Sequence, residues 1–181
     1  MSSTVLHLSL SLNGFAAGPN VSPDNGLGDG GERLHEWPFP DADHGANRQI
    51  YEEFMSTGAI VAGSGSVETA GGRGGDYHDG VPIYIPSPHP APSWAVDWPA
   101  VHYVSDIDTA IRDAKHTARD KNVLVHGAST ARRALTAGLL DELEIHLIPV
   151  LYFGDERREL ERVRVLEGED GVTHLRYRVR R

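Results

Sequence analysis

Val123-Leu124-Val125-His126-Gly127-Ala128-Ser129-Thr130 is the stretch on which the fold class turns. Three aliphatic residues with no polar alternation read as a buried strand, and His126-Gly127-Ala128 reads as a small-residue turn. From Ser129 to Ala137 the pattern is that of a short helix, with Gly138 at the C′ position. Strand, tight turn and helix in that order are the unit from which parallel α/β sheets are built. In such sheets ligands bind where strands end and loops lead into helices, and a helix start offers N–H groups and a dipole to an anion. The same turn is purely structural in most α/β proteins, so both readings stand here.

Working outward, the preceding segments repeat the unit. Ser105 is placed as the N-cap of a helix reaching Arg119, with Ile107, Ala110, Ile111, Ala114 and Ala118 on one stripe. Ala59–Ala62, Val81–Ile85 and Val101–Val104 are short strands, and a helix is predicted over Ala42–Ser56. Gly63 to Gly80 is glycine-rich and is expected to be irregular unless packing or a ligand fixes it. At the start, Leu6, Leu8, Leu10 and Leu12 alternate with His7, Ser9 and Ser11 as a strand does, followed by a polar loop from Asn13 to Pro40. A loop of that length inside a compact domain is usually functional. Downstream, Glu142–Leu151 reads as one strand with Leu143, Ile145 and Leu147 on one face. Its other face, Glu142, Glu144 and His146, is expected to be exposed or dimer-facing. The last strands are predicted to form a hairpin through Gly168-Glu169-Asp170-Gly171 at one edge of the sheet.

The chain has 181 residues, a length that suits one domain, 1–181, able to fold without disulfide or metal. Its formal net charge of −9 argues against a nucleic-acid or anionic-membrane binder, which needs clustered positive charge. With no cysteine, thiolate zinc sites, Fe–S clusters and Cys nucleophiles are excluded. All but Lys115 and Lys121 of its 17 basic residues are arginines. There is no signal-peptide pattern at the start and no apolar stretch of membrane-spanning length, so the expectation is a cytoplasmic protein.

Several segments together resemble a known family. Ser9-Leu10-Ser11-Leu12-Asn13-Gly14-Phe15-Ala16-Ala17-Gly18-Pro19-Asn20 is similar to the opening of dihydrofolate-reductase-like proteins related to the riboflavin-biosynthesis reductase (RibD C-terminal) domain. Asn25-Gly26-Leu27-Gly28-Asp29-Gly30-Gly31-Glu32-Arg33-Leu34-His35-Glu36-Trp37 resembles the loop of one bacterial subgroup. Gly58–Gly63, Gly71–Asp76, Asp141–Leu151 and Gly171–Val179 fit its order and spacing. The resemblance implies a three-layer α/β fold: a mainly parallel central sheet flanked by helices, with an antiparallel C-terminal hairpin, commonly in a homodimer. It further implies NADPH across the strand ends and reduction of a small pteridine-, pyrimidine- or ribityl-like heterocycle, or of a specialised metabolite. By the same resemblance Gly63, Ser64, Ser87, Gly127, Ala128, Ser129 and Thr130 would line the nucleotide groove. Asn25, Gly28, Gly30, Gly31, Trp37, Tyr152 and Gly154 would meet substrate, with Asn13 and His126 as the catalytic candidates.

Departures from the family pattern cluster where the chemistry would be. Asn13 stands where an Asp is usual and can orient a substrate but not serve as a carboxylate acid or base. The Gly-Arg-x-Thr-Tyr pattern that usually meets the nucleotide is Gly63-Ser64-Gly65-Ser66-Val67. The polar pair near the adenosine 2′-phosphate is replaced by Ile85-Pro86-Ser87-Pro88, and the Gly-Gly-Ala turn is His126-Gly127-Ala128. The rim is thus expected to be short of cations. With the Asp gone, water or His126 is left to deliver a proton. A family member that has lost the nucleotide and acts as a non-redox cyclase, isomerase or hydrolase, with His126 as acid/base, is the alternative; a non-catalytic small-molecule binder is the third.

Other residues have plainer readings. No H-x-H, H-x3-H or HExxH spacing occurs among the ten histidines, so no metal is expected. Asp76-Tyr77-His78-Asp79 is either an acid/base pair or a solvated loop. Trp37 with Phe39 either walls a flat heterocycle or closes the loop on the core. Trp94 and Trp98 suit packing or dimer contact, and Arg176, Arg178, Arg180 and Arg181 make a basic strand face that discourages edge pairing.

Overall fold

The computed structural model describes residues 2–22, 24–37, 45–69, 76, 79–95, 97–154, 156–168 and 173–180. Phe39, Tyr77, His78, the 71–75 segment, the 169–171 turn, Arg181 and the Trp94 side chain lie outside the described residues. The chain forms two compact units, one from residues 1–8 and 38–144, the other from 9–37 and 145–181.

The first unit is built on a sheet of β1 (Thr4–Ser11), β2 (Ala59–Ala62), β3 (Ile83–Pro86), β4 (Val101–Val104), β5 (Val123–His126) and β6 (Glu142–Ile148), in the order β4-β3-β2-β5-β1-β6. By residue, β1 from Ser9 and β6 from Ile145 count with the second unit. Leu124 is paired in parallel with Val5 on one side and Ile60 on the other, and Ile60 in turn with Ile83. Alternation along the strands sends Val61, Tyr84, Val123 and Val125 to one face, where α3 (Ile107–Ala118) and α4 (Ala128–Thr136) cover them. Ile60, Ala62, Ile83, Ile85 and Leu124 point the other way, against Phe54 of α1 (Ala46–Met55) and Val67 of α2 (Ser64–Thr69). Strands buried on both faces explain why β2, β3 and β5 read as continuous apolar runs.

The stripe predicted for α3 is buried in full. Its N-cap is Asp106 rather than Ser105: the carboxylate accepts the Thr109 N–H at 2.7 Å, and the Ser105 hydroxyl donates to that carboxylate. The stretch expected to be irregular begins with α2. Val67, 2% exposed, is seated in the core, and the Ser66 and Val67 N–H groups bond the Gly63 carbonyl; burial here outweighs the low helix propensity of Ser-Gly-Ser.

Glu142–Leu151 is not one strand. Pro149 has no N–H to donate, and the ladder breaks there into β6 and β7 (Val150–Phe153). Of the face of β6 expected to be exposed or dimer-facing, Glu142 is exposed and the other two are not fully so. Leu143, Ile145 and Leu147 are 55%, 43% and 47% exposed, whereas Glu144 and His146 are half-buried.

In the second unit β7, β8 (Glu156–Glu167) and β9 (Thr173–Val179) form an antiparallel sheet, so the C-terminal hairpin belongs to a sheet of its own rather than to an edge of the parallel one. Leu34, Ile148, Val150 and Tyr152 pack together with Trp37 beside them. The loop after β1 is tightly built. Gly18 N–H bonds the Leu27 carbonyl at 2.8 Å, Asp29 N–H bonds the Pro19 carbonyl at 2.7 Å, and the amides of Asn20 and Asn25 each donate to one oxygen of the Asp29 carboxylate, at 2.7 and 2.8 Å. A short 3-10 turn, Gly31–Leu34, follows and seats Leu34 with no exposure.

Candidate functional site

In the first unit the turns after β2 and β5 start level with each other, because Ala62 and His126 are partners in register. Parallel pairing therefore brings Gly63 and Gly127 to the same end of the sheet. Gly127 has φ +90°, and a Cβ there would lie 2.5 Å from Ser66 Oγ; a Cβ on Gly63 would lie 2.9 Å from Thr130 Oγ1. Each turn is thus closed over by a hydroxyl side chain from the helix that follows the other, which would have to shift to admit a Cβ. The first helical bond of α4 runs from Ala131 N–H to the Gly127 carbonyl, and no side chain caps the helix. The N–H groups of Ala128, Ser129 and Thr130 therefore precede the helical ladder, with Ala128 and Ser129 at least partly exposed and Thr130 buried. His126 is half-buried as the last residue of β5. Ser64 opens α2 and is half-buried.

Ser87 follows β3. Its N–H bonds the Val104 carbonyl at 2.8 Å, and its hydroxyl accepts the His89 N–H at 3.1 Å. One residue earlier, the Pro86 carbonyl accepts a bond of 3.2 Å from Nη1 of Arg133, which reaches over from α4. On a rim expected to be short of cations, one guanidinium therefore lies at the end of β3. The signal was present in the sequence, since Arg133 is four residues beyond Ser129 and shares its helix flank. A cavity of about 670 Å³ lies along the edge strand β4 and beyond the end of β3, lined among others by Tyr84, Ser87, His89, His102, Ser105 and Asp113. The rings of Tyr84 and His102 are 5.0 Å apart at 30°, and the Tyr84 hydroxyl is fixed by Thr117 at 2.6 Å.

In the second unit the structure brings Asn13, Gly30 and Tyr152 together. The Asn13 amide donates to the Tyr152 carbonyl at 2.7 Å, and its oxygen accepts the Ser11 hydroxyl at 2.9 Å and the Tyr152 N–H at 3.3 Å. Both ends of this amide are engaged in joining the end of β1 to β7. The Tyr152 hydroxyl donates to the Gly30 carbonyl at 2.8 Å, a bond shared by Arg157 at 3.3 Å, and burial raises the phenol above its usual pKa. Asn25, Gly28 and Gly31 serve the loop's own construction: Asn25 bonds Asp29, and both glycines pack on the Gly18 backbone. Gly154, at φ +57°, has open space around it.

Trp37 donates its indole N–H to Ser9 Oγ at 3.0 Å, and its ring lies 4.2 Å from that of His146. His146 was expected on an exposed or dimer-facing surface and is instead a ring partner of Trp37. Period-2 alternation sorts the residues of β6 onto two faces without saying which of them is inside. Among the described residues no three or more His, Asp or Glu side chains are grouped to hold a metal ion, and no helix is long and apolar enough to cross a membrane.

No protein-family model matches the chain, and no curated protein matches it. Among solved structures, a protein from Shewanella sp. PV-4 assigned to riboflavin biosynthesis aligns with 18% identity over 99% of each chain at TM-score 0.57. A pyrimidine reductase-like protein from Corynebacterium diphtheriae NCTC aligns with 16% identity over 99% of this chain and 92% of that one, at the lower TM-score of 0.47. The first of these likenesses, with the parallel sheet, its flanking helices and the separate antiparallel sheet, gives the chain the dihydrofolate-reductase-like α/β fold that its resemblance to the riboflavin-biosynthesis reductase group implies.

Proposed function

We propose that the protein is an NAD(P)H-dependent reductase of a small heterocyclic or specialised-metabolite substrate, operating in the cytoplasm. The observation that carries this reading is the uncapped start of α4 at two adjoining glycine turns, on the C-terminal ends of neighbouring parallel strands. Free N–H groups and the positive end of a helix dipole at that place suit a pyrophosphate. Gly63, Ser64, Gly127, Ala128, Ser129 and Thr130 would hold it through backbone donors and neutral hydroxyls. When bound, the dihydronicotinamide supplies the hydride. The chain's own part is to orient the ligands, with Trp37, Tyr152 and Gly30 as the substrate-facing candidates and His126 or water as proton source.

Titration with NADPH and NADH, followed by nicotinamide fluorescence and thermal shift, tests the reading. Stabilisation by either supports it, and no response at millimolar nucleotide overturns it. One observation favours the second reading, a non-redox enzyme or a non-catalytic binder in the same fold. The bare face of Gly127 is already met by Ser66 Oγ rather than left open to a phosphate. Replacing His126 with Gly separates the two: gained NADPH affinity with lost turnover marks a repurposed groove.

The proposed assembly is a homodimer. β6 is the terminal strand of its sheet, and Leu143, Ile145 and Leu147 present an apolar row to solvent, a surface that a second copy would cover. Sedimentation of the native chain and of Ile145→Glu tests this, with a shift from dimer to monomer expected.

A further inference from the structure

His7 lies where three strands of the first unit come level. In the parallel pairing of β1 with β5, Leu6 stands opposite Val125, and the next residues along the two strands are His7 and His126. Ala62, the last residue of β2, is the partner of His126. His7 is therefore level with the ends of β2 and β5, where the Gly63 and Gly127 turns begin, although β1 itself runs on to Ser11. Leu6 and Val125 pack on the α3 and α4 side, so the two imidazoles share the opposite face. There the His7 ring meets that of Phe54 on α1 edge-on, at 5.6 Å. β6 flanks β1 on its other side and carries Glu144, which is half-buried. Burial lowers the His7 pKa, while the carboxylates of Glu144 and of Glu53 on α1 pull it up. Glu144, His7 and His126 thus form a row across three neighbouring strands, spaced by about 4.8 Å per strand. All three belong to the first unit. A row along a sheet does not converge on one point, and these residues are not grouped to hold a metal ion. None of the residues of α1 is fully buried, so the helix shields the row without sealing it.

We propose that His7 is the proton donor of this site: its imidazolium protonates an imine-type ring nitrogen of the bound heterocycle, with Glu144 as a positioning residue that favours the charged ring and His126 as the neutral base beside it. Two imidazoles side by side do not both carry charge without cost, so a proton on one holds the other neutral. In the step itself the His7 N–H bond breaks as an N–H bond to the ring nitrogen forms. The imidazole is left neutral and the positive charge passes to the heterocycle, whose adjacent carbon becomes electrophilic. Nothing is oxidised or reduced in this transfer. The row also needs no carboxylate at the position of Asn13. The inference rests on the heterocycle reading above and assigns the proton that it left to His126 or water.

The test combines NMR titration of the imidazoles with binding of pterin, read by its fluorescence, in the full chain. Glu144→Gln should lower the pKa of His7, and His126→Gln should raise it. Pterin should bind the native protein more tightly as pH falls from about 7 to about 5.5, the range in which His7 gains its proton. His7→Gln should weaken pterin about ten-fold, the loss of one charge-assisted bond, and abolish that pH dependence. Should His7→Gln not fold, Glu144→Gln and His126→Gln, which keep His7, still decide through its pKa. A His7 pKa that neither replacement moves overturns the proposal. Pterin binding that His7→Gln leaves unchanged overturns it too, while the heterocycle reading stands. If pterin does not bind, the heterocycle reading has failed, and His7 is judged by its reaction with diethyl pyrocarbonate. Modification of His7 in the folded chain, at a rate that Glu144→Gln alters, upholds an acid/base row; a ring that reacts only after urea unfolding is a packed side chain and overturns it.

Discussion

Replacing Gly28 with alanine sets a methyl group against backbone that has nowhere to go. The new Cβ would overlap the Gly18 carbonyl oxygen and come within 2.5 Å of Gly18 C and Pro19 O. None of these is the end of a side chain, so no rotamer change relieves the overlap and the two strands of the loop must part. Parting them breaks the Gly18 N–H bond to Leu27 and the Asp29 N–H bond to Pro19, at about 1 kcal/mol each. Gly28 also sits at φ +71°, where an L-residue adds about 1–2 kcal/mol. The total is about 3–4 kcal/mol. Gly14→Ala supplies the control. Its φ is +86°, yet nothing lies within 4 Å of the added methyl, so only the backbone term of about 1–2 kcal/mol remains. Urea unfolding followed by circular dichroism measures both variants, and hydrogen exchange at the Gly18 and Asp29 amides reads the loop directly if it opens on its own. Equal costs for Gly28→Ala and Gly14→Ala, with unchanged exchange at those amides, would show that the packing does not constrain the loop.

Other expectations follow from the same structure. Asp141 accepts from Lys115 at 2.8 Å and from the Thr4 N–H and hydroxyl at 2.8 Å, and these bonds hold its carboxyl down to about 2 from the usual 3.8. A depressed carboxylate stabilises the fold above its unfolded pKa, so that contribution should fade as pH falls from about 4 towards 2 and be missing in Asp141→Asn; urea midpoints across that range measure it. His7 is pushed below 6.5 by burial, against the pull of Glu144 and Glu53, so the unfolded chain takes its proton first as pH drops. Stability should therefore decline from about pH 6.5 downward, and His7→Gln should flatten that part of the Tm profile. Val67→Ala should cost about 2–3 kcal/mol in unfolding free energy, because α2 is held to the sheet through that side chain; a loss under about 0.5 kcal/mol would show α2 to be held by something else.

The sequence made the parallel half of the fold legible because buried parallel strands and amphipathic helices write their burial into short, local patterns. β2, β5, the stripe of α3 and Gly138 after α4 were all readable from residues within a few positions of one another. What failed depended on distant partners. α2 forms because Val67 finds a core that Ser64-Gly65-Ser66 gives no hint of. β6 has two faces of similar alternation, and only its neighbours decide that Glu144 and His146 turn inward while Leu143 and Ile145 turn out. In the candidate site, the turns at Gly63 and Gly127 were visible as punctuation, but that Ser66 and Thr130 would close them was not. The arrival of Arg133 at the end of β3 depends on how α4 packs and not on the strand-end residues themselves.

The loop clasped around Asp29 has a consequence for how this protein can vary. Gly18 lies bare against the Asp29 backbone, Gly28 against the backbone of Gly18 and Pro19, and Gly31 against the Gly18 N–H. No single exchange at these positions can be rescued by a second, since each added methyl meets main chain rather than a replaceable side chain. Change in the loop must therefore come as insertion, deletion or wholesale replacement, and substrate preference, where it depends on this loop, would be expected to shift in jumps and not by gradual drift.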